Sequence, residues 1–262
     1  MQIRDAVAVV TGASSGIGRA ISLALAREGA TVFVAARRLD RLKALAREIE
    51  RFGGTATPIR CDVSRAESLE ALAAEVEKTQ GRCDVLVNNA GVPGGGSFES
   101  LSREKIEEVA RVNLLSVIEG TRVFLPIMLR QGRGHIVNIA SLAGRHHVPG
   151  AALYAATKHG VVGFSESLYY ELAPKGVLVT VVNPAFVKTE AFPQEGLPPR
   201  MVMPPERVAR AVVRVVRKGI APQVSVPRWS GALEILRTAT PGPYRWVQQR
   251  IIRSGHHPTA AE

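Results

Sequence analysis

The sequence predicts a doubly wound α/β fold in a single domain: a seven-stranded parallel sheet flanked by helices, with a helical C-terminal extension. Three observations lead there. Over roughly the first 190 residues, short apolar β-branched runs alternate with longer helical patterns, the repeat that builds a parallel sheet from strand–helix units. The short runs are nearly continuous in Val, Ile and Ala, as expected where helices cover both faces. Pro and Gly gather at 92–96, 192–205 and 240–243, between the periodic segments, where loops belong.

In chain order, strands are expected near 6–10, 31–36, 55–60, 84–88, 135–140, 177–182 and 223–227. Apolar residues at helical spacing mark helices over 16–28, 38–52, 64–80, 103–129, 151–173 and 205–218,. Ser64 and Ser102 stand where helix N-caps are expected,. Right-handed crossovers would bury the sheet and place ligands outside the carboxyl ends of its strands. Residues 1–228 then form the binding and catalytic domain, and 229–262 a basic amphipathic extension of it.

Composition narrows the class. The chain has 262 residues, 46% hydrophobic and 22% charged, an ordinary globular balance. No uninterrupted apolar run approaches the roughly 18 residues of a membrane span, and the start Met1-Gln2-Ile3-Arg4-Asp5 leads directly into an apolar strand without a cleavage pattern,. A cytoplasmic protein is expected. Cys61 and Cys83 are too few for a disulfide framework and are expected reduced,. The net charge of +11 is uneven: residues 200–262 carry +8 and residues 1–199 carry +3.

The first strand runs into Thr11-Gly12-Ala13-Ser14-Ser15-Gly16-Ile17-Gly18, and a helical pattern begins at once. Glycines permit a tight turn and close approach of backbone to a pyrophosphate, while the helix N-terminus favours an anion. A strand–turn–helix is the context a Rossmann-type dinucleotide site requires, although a ligand-free turn has the same glycines. The residue ending the second strand selects the cofactor in such folds. Here the stretch reads Ala35-Ala36-Arg37-Arg38. A guanidinium suits the 2′-phosphate of NADP (NADPH), whereas the bland alternative is two solvated arginines opening a helix. Asp62 stands after the third strand, placed to accept from an adenine amine or to shape a turn,. Tyr154 and Lys158, four apart, share a helical face,. Ser141 follows the fifth strand, and Asn113 lies in the long helix before it.

Together these residues resemble the classical short-chain dehydrogenase/reductase family. The likeness rests on the glycine turn 11–18, Asp62-Val63, Asn88-Asn89-Ala90-Gly91, Asn113, Ser141 and Tyr154-Ala155-Ala156-Thr157-Lys158, and runs to about Thr189. It implies an enzyme interconverting a carbonyl and an alcohol, with Tyr154 as acid/base and Ser141 orienting the carbonyl oxygen. Lys158 would hold the nicotinamide ribose, and Asn113 would support a proton-relay water. It also implies that Asn89, Ala90 and Gly91 stabilise the sheet beside the cofactor, and that Pro184, Val187 and Thr189 cover the nicotinamide. Ala185 departs from the family's usual Pro-Gly at that loop.

The chemistry is consistent with those roles. Charge builds on the carbonyl oxygen during reduction, so a proton donor must lie within reach of it. A free tyrosine titrates near about 10. A cation about 4–5 Å away, at an effective dielectric near 20, would favour phenolate by roughly 3–4 kcal/mol before desolvation, or about 2 pKa units.

Substrate contacts are expected from 92–98, 142–150 and 192–203. The last holds Phe192, Leu197, Met201, Val202 and Met203, side chains suited to a fairly apolar small-molecule substrate or equally to packing on the core or on a second subunit. His146 and His147 lack companions at metal-ligand spacing, so no metal is expected,. Arg207, Arg210, Arg214 and Arg217 share a helical face opposite Val208, Val212 and Val215, the pattern of a solvated face over a packed one,. Trp229, Leu233 and Leu236, then Tyr244, Val247 and Ile251, suggest two short amphipathic helices. These could touch an anionic membrane, close the pocket, or join subunits of a homodimer or homotetramer, and the last two are preferred. No nucleic-acid motif accompanies the charge. A rival class, a non-catalytic NADP-binding sensor or scaffold, would leave the set Asn113, Ser141, Tyr154 and Lys158 without a purpose.

Overall fold

The computed structural model describes residues 1–192, 201–231, 239–244 and 246. Its strands are β1 (Val7–Thr11), β2 (Thr31–Ala36), β3 (Thr55–Arg60), β4 (Val85–Asn88), β5 (Gly134–Ile139), β6 (Val177–Pro184) and β7 (Gln223–Val226). They form one seven-stranded sheet in the order β3-β2-β1-β4-β5-β6-β7. Every pairing is parallel. The chain winds outward from β1 to β3, then crosses back to lay β4 on the other side of β1. A crevice therefore opens between the carboxyl ends of β1 and β4, the place where such sheets bind ligands.

The helices are α1 (Gly16–Arg27), α2 (Leu39–Glu50), α3 (Ala66–Gln80), α4 (Arg103–Ala110), α5 (Ser116–Arg130), α6 (Ala152–Leu172) and α7 (Pro205–Lys218). Alternate strand residues face opposite layers. Ala8, Val10, Val32 and Val34 pack on Ile21 and Leu25 of α1, Leu42 and Leu45 of α2, and Val208 and Val212 of α7. Val7, Val9 and Phe33 pack on Leu69 and Leu72 of α3 and on Phe124 and Met128 of α5. Val161 and Val162 of α6 close a third cluster with Val117, Ala140 and Val181.

Three expectations are corrected. The sheet is buried at its centre but not at its edges: β3 is half-exposed, and its Pro58, which cannot donate to a ladder, is tolerated because β3 has a neighbour on one side only,. The helix expected over 103–129 is interrupted by a π-turn at Arg111–Leu115. The whole run Arg103–Arg130 is long and apolar enough to cross a membrane by length and composition, and half of its apolar window is buried inside this fold. Ser64 does not cap α3. Its hydroxyl donates to Asp62 Oδ1 at 2.8 Å, and the helix starts two residues later with Arg65 at the cap. Ser102 does cap α4, accepting from the Lys105 N–H at 3.2 Å.

Beneath the sheet's amino edge, His135 is 1% exposed. The Thr180 hydroxyl gives its one proton to Ile220 O at 2.6 Å, so it accepts from His135 Nε2 at 2.8 Å and fixes the neutral tautomer. Burial, with a smaller contribution from the N-terminal ammonium, pulls the imidazole down from 6.5 to about 4. A folded-state value below the unfolded one means stability that is complete above pH 6.5 and lost as the pH falls toward 4. The loss should reach about 3 kcal/mol. Urea midpoints at pH 7.5 and 4.5 should therefore differ more for the wild type than for His135→Gln; equal pH dependence in the two proteins would contradict the assignment.

Candidate active site

The crevice is built around the turn between β1 and α1. Gly12 has φ of +66°, and a Cβ on it would stand 2.8 Å from Ala90 Cα, so only glycine lets the two strand ends approach. The Thr11 hydroxyl accepts from the N–H groups of Asn89 (3.0 Å) and Ala90 (3.2 Å), and Asn89 Nδ2 donates to Thr11 O at 2.9 Å. These bonds tie β1 to β4 beside the turn. Gly18 faces Gly12 O too closely to carry a side chain, and Ile17 packs on the core below. Ser15 is the N-cap of α1 without a side-chain cap bond, so the helix presents its first N–H groups to the crevice.

Of the two candidate arginines, the structure brings Arg38 to the turn. Its guanidinium donates to Ser14 Oγ and Ser15 Oγ, each at 3.0 Å. Arg37 is exposed. Asp62, whose carboxylate accepts from the N–H and hydroxyl of Ser64, lies beyond β3, and Val63 packs on the core next to it. Burial pushes that carboxyl up, but the Ser64 bonds and the charges of Arg37 and Arg65 outweigh it and hold it below its ordinary value.

A nicotinamide dinucleotide fits this framework. Thr189 lies over the turn, and a side chain on Gly16 would meet its Cβ at 3.1 Å. The Thr189 hydroxyl oxygen is buried without a hydrogen-bond partner among the described residues, a polar group facing a glycine cradle. Pro184 ends β6, and Val187 packs in the core three residues later. Lys188 N donates to Met203 O, and Met203 N to Phe186 O, which anchors this segment despite Ala185.

On the far side, Ser141 follows β5 in an extended conformation, its Oγ accepting from Ala143 N at 3.1 Å. A hydrogen bond from Ser141 reaches the Tyr154 oxygen. Lys158 is 4% exposed. Its ammonium donates to Ile139 O at 3.0 Å and lies 5.6 Å from the centre of the Tyr154 ring. Asn113 sits in the π-turn, fully buried. Its Nδ2 donates to Val92 O (2.9 Å) while its Oδ1 accepts from Val92 N (2.8 Å). Both ends of the amide are thus engaged in holding the segment after β4, with one donor and one acceptor position of the amide left over,. A Cβ on Gly91 would lie 3.3 Å from Asn113 Oδ1 and 3.8 Å from Lys158 Nζ. The four residues therefore converge on one end of the crevice.

Burial sets the charges here. It pushes the Tyr154 phenol up to about 12, with the Ser141 bond opposing, and pulls Lys158 down to about 8. The shared helical face predicts that Lys158 lowers the phenol. Desolvation wins instead, and the ammonium is engaged by Ile139 O. At neutral pH the phenol is a proton donor.

Phe192 packs against Tyr154 with ring centres 5.5 Å apart, and the Tyr244 hydroxyl lies 3.4 Å from His146 Nδ1. Tyr244 of the extension thus touches the 142–150 loop. Met203 is buried in the core while Met201 is exposed. Leu197, Leu233, Leu236, Val247 and Ile251 lie outside the described residues. On α7, Arg207, Arg210, Arg214 and Arg217 are exposed above buried Val208, Val212 and Val215, a solvated face over a packed one. Cys61 and Cys83 are free and buried. Among the described residues no group of three His, Cys, Asp or Glu is placed to hold a metal.

Several further participants carry no sequence motif. Arg41 and Glu190 join Arg38 at the turn; the only signal was Arg41 lying one helical turn beyond Arg38. A buried polar chain links Asn88 Nδ2 to Asn138 Oδ1, and Asn138 Nδ2 to Ser165 Oγ, each at 2.9 Å. It spans β4, β5 and α6 and stiffens the sheet next to Ser141.

A family model for short chain dehydrogenases matches residues 6–197. The chain is 36% identical over 213 residues to the ketoacyl reductase HetN of Nostoc sp., covering 80% of this chain and 74% of that one. It is 34% identical over 223 residues to the 3-oxoacyl-[acyl-carrier-protein] reductase FabG of Thermotoga maritima, covering 81% and 91%. A crystal structure of a variant actinorhodin polyketide ketoreductase with NADPH superposes with a TM-score of 0.81 at 37% identity, over 87% of this chain and 97% of the other.

Proposed function

The chain belongs to the short-chain dehydrogenase family and is an oxidoreductase, and from that premise we propose that it is an NADP-dependent reductase that interconverts a fairly apolar carbonyl compound and its alcohol. The observation that carries this reading is the convergence of Ser141, Tyr154 and Lys158 at the end of β5, opposite a glycine turn lined by Arg38. When bound, the reduced nicotinamide supplies the hydride. Ser141 and Tyr154 bind the carbonyl oxygen of the substrate between them, and the phenol gives its proton to that oxygen as negative charge develops there. Lys158 stabilises the phenolate left behind and orients the ribose. Asn113, through its two bonds to Val92, holds Gly91 beside Lys158. Gly12, Ser14, Ser15, Gly16 and Gly18 receive the pyrophosphate, Arg38 the 2′-phosphate, and Thr189 the carboxamide.

Phe192 against Tyr154, with Tyr244 over His146, supports an apolar pocket wall, and relatives that reduce ketoacyl groups fit such a substrate. Residues 1–228 act as one catalytic unit with 229–262 as its extension. Exposed Leu115 and Tyr170 on neighbouring helices suit contact between copies in a homodimer or homotetramer.

NADPH and NADH oxidation over a carbonyl panel from short aldehydes to fatty and aromatic ketones tests this. The wild type should prefer NADPH, with kcat/KM rising with substrate apolarity. Arg38→Ala should raise KM for NADPH about thirtyfold, the loss of a charge-assisted contact, and Arg37→Ala should change it little. A wild-type preference for NADH would sink the cofactor assignment.

A further inference from the structure

We propose that Glu190 is a built-in competitor for the cofactor's 2′-phosphate, held by Arg38 and Arg41 until the phosphate displaces it, and that it thereby sets how sharply the enzyme discriminates NADPH from NADH; this rests on the NADP reading above. Glu190 follows Thr189 directly and reaches across to the start of α2. Its Oε1 accepts from Arg38 Nη1 at 2.8 Å and its Oε2 from Arg41 Nη1 at 2.5 Å. The carboxylate thus spans two guanidinium groups, and the bonds from Arg38 and Arg41 hold it below its ordinary range. Next to it lies a cavity of about 420 Å³ lined by Ser14, Ser15, Arg19, Arg41 and Glu190. Arg19 is paired with Glu48, which leaves Arg38 and Arg41 as the pair of cations that Glu190 occupies.

The same donor set is what a phosphate monoester needs. Arg38 already donates to the hydroxyl oxygens of Ser14 and Ser15, whose own protons stay available for an anion. A phosphate monoester brings about −1.5 to −2 charge and three acceptor oxygens, against one charge and two oxygens for Glu190. It wins the two arginines, whereas the ribose 2′-hydroxyl of NADH brings no charge and leaves Glu190 in place. Arg41 becomes a second phosphate ligand, and the ion pairs are exposed enough to exchange readily: the side chains of Arg38, Arg41 and Glu190 are 41%, 44% and 49% exposed.

Dissociation constants for NADPH and NADH, read by fluorescence titration of the full chain without substrate, test the proposal. Removing the competitor in Glu190→Gln should tighten NADPH about fivefold, the size expected for releasing exposed ion pairs. NADH should stay within about twofold, as the same ion pairs do not bear on it. Arg41→Ala should weaken NADPH about tenfold and spare NADH. Unchanged or weaker NADPH binding in Glu190→Gln overturns the proposal. So does an equal shift for both cofactors, which would mean that Glu190 acts by positioning Thr189, and so does a weakening confined to NADH, which would make it a ribose ligand. A wild type that binds NADH as tightly as NADPH would bring down the NADP reading itself, and the proposal with it.

Discussion

Tyr154→Phe should retain its fold and its affinity for NADPH while kcat for carbonyl reduction falls about a thousandfold, the middle of the range for removing a positioned general acid. The substitution removes one oxygen and leaves the ring that packs on Phe192. The hydrogen bond from Ser141 is lost, but Ser141 keeps its bond from Ala143 N, so the loop after β5 stays formed. Binding should be spared because the groups that receive the pyrophosphate and 2′-phosphate lie at the β1–α1 turn. Single-turnover kinetics with saturating NADPH would separate the two effects. A Tyr154→Phe enzyme with wild-type kcat would remove the proton donor from the account.

Lys158→Met should lose activity about a hundredfold and yet be more stable than the wild type at pH 7. The lysine is 4% exposed and burial pulls it down from 10.5 to about 8. Its folded-state value lies below the unfolded one, so its favourable contribution is complete only above pH 10.5 and is lost as the pH falls through 8. At neutral pH the buried charge costs about 3 kcal/mol, of which the bond to Ile139 O recovers some. Methionine fills a similar volume without the charge and leaves one carbonyl unpaired, for a net gain of about 2 kcal/mol and a Tm higher by about 5 °C. The gain should shrink as the pH is raised toward 10. Stability falling together with activity would make Lys158 a structural residue rather than a charge kept for function.

Much of this was legible in the chain because the relevant signals are local. Strand runs such as Val7–Thr11 and Val177–Pro184 are apolar on both faces, and Thr11 to Gly18 state a turn whose purpose depends only on the strand before it and the helix after it. The edges were less legible: Thr55–Arg60 has the β-branched content of a core strand, and only Pro58 hinted that one side has no neighbour. Asn113 was found, but not the π-turn that carries it, since periodicity over 103–129 does not register a single wide turn. The environment of Tyr154 was misjudged for a different reason. Sequence spacing puts Lys158 on the same helical face, but whether its charge or the loss of solvent dominates depends on burial, which spacing does not state. Glu190 is about 150 residues from the arginines it pairs with, and no local pattern announces such a contact.

The central claim is that this chain moves hydrogen from the nicotinamide to a carbonyl carbon while Tyr154 protonates the oxygen. NADPH carrying deuterium on the nicotinamide carbon that donates hydride tests it directly. Wild-type enzyme with a carbonyl from the panel should yield alcohol bearing deuterium at the new C–H, one per NADPH oxidised, and Tyr154→Phe should yield almost none in the same time. Alcohol without deuterium, or equal deuterium incorporation by the two proteins, would contradict the account.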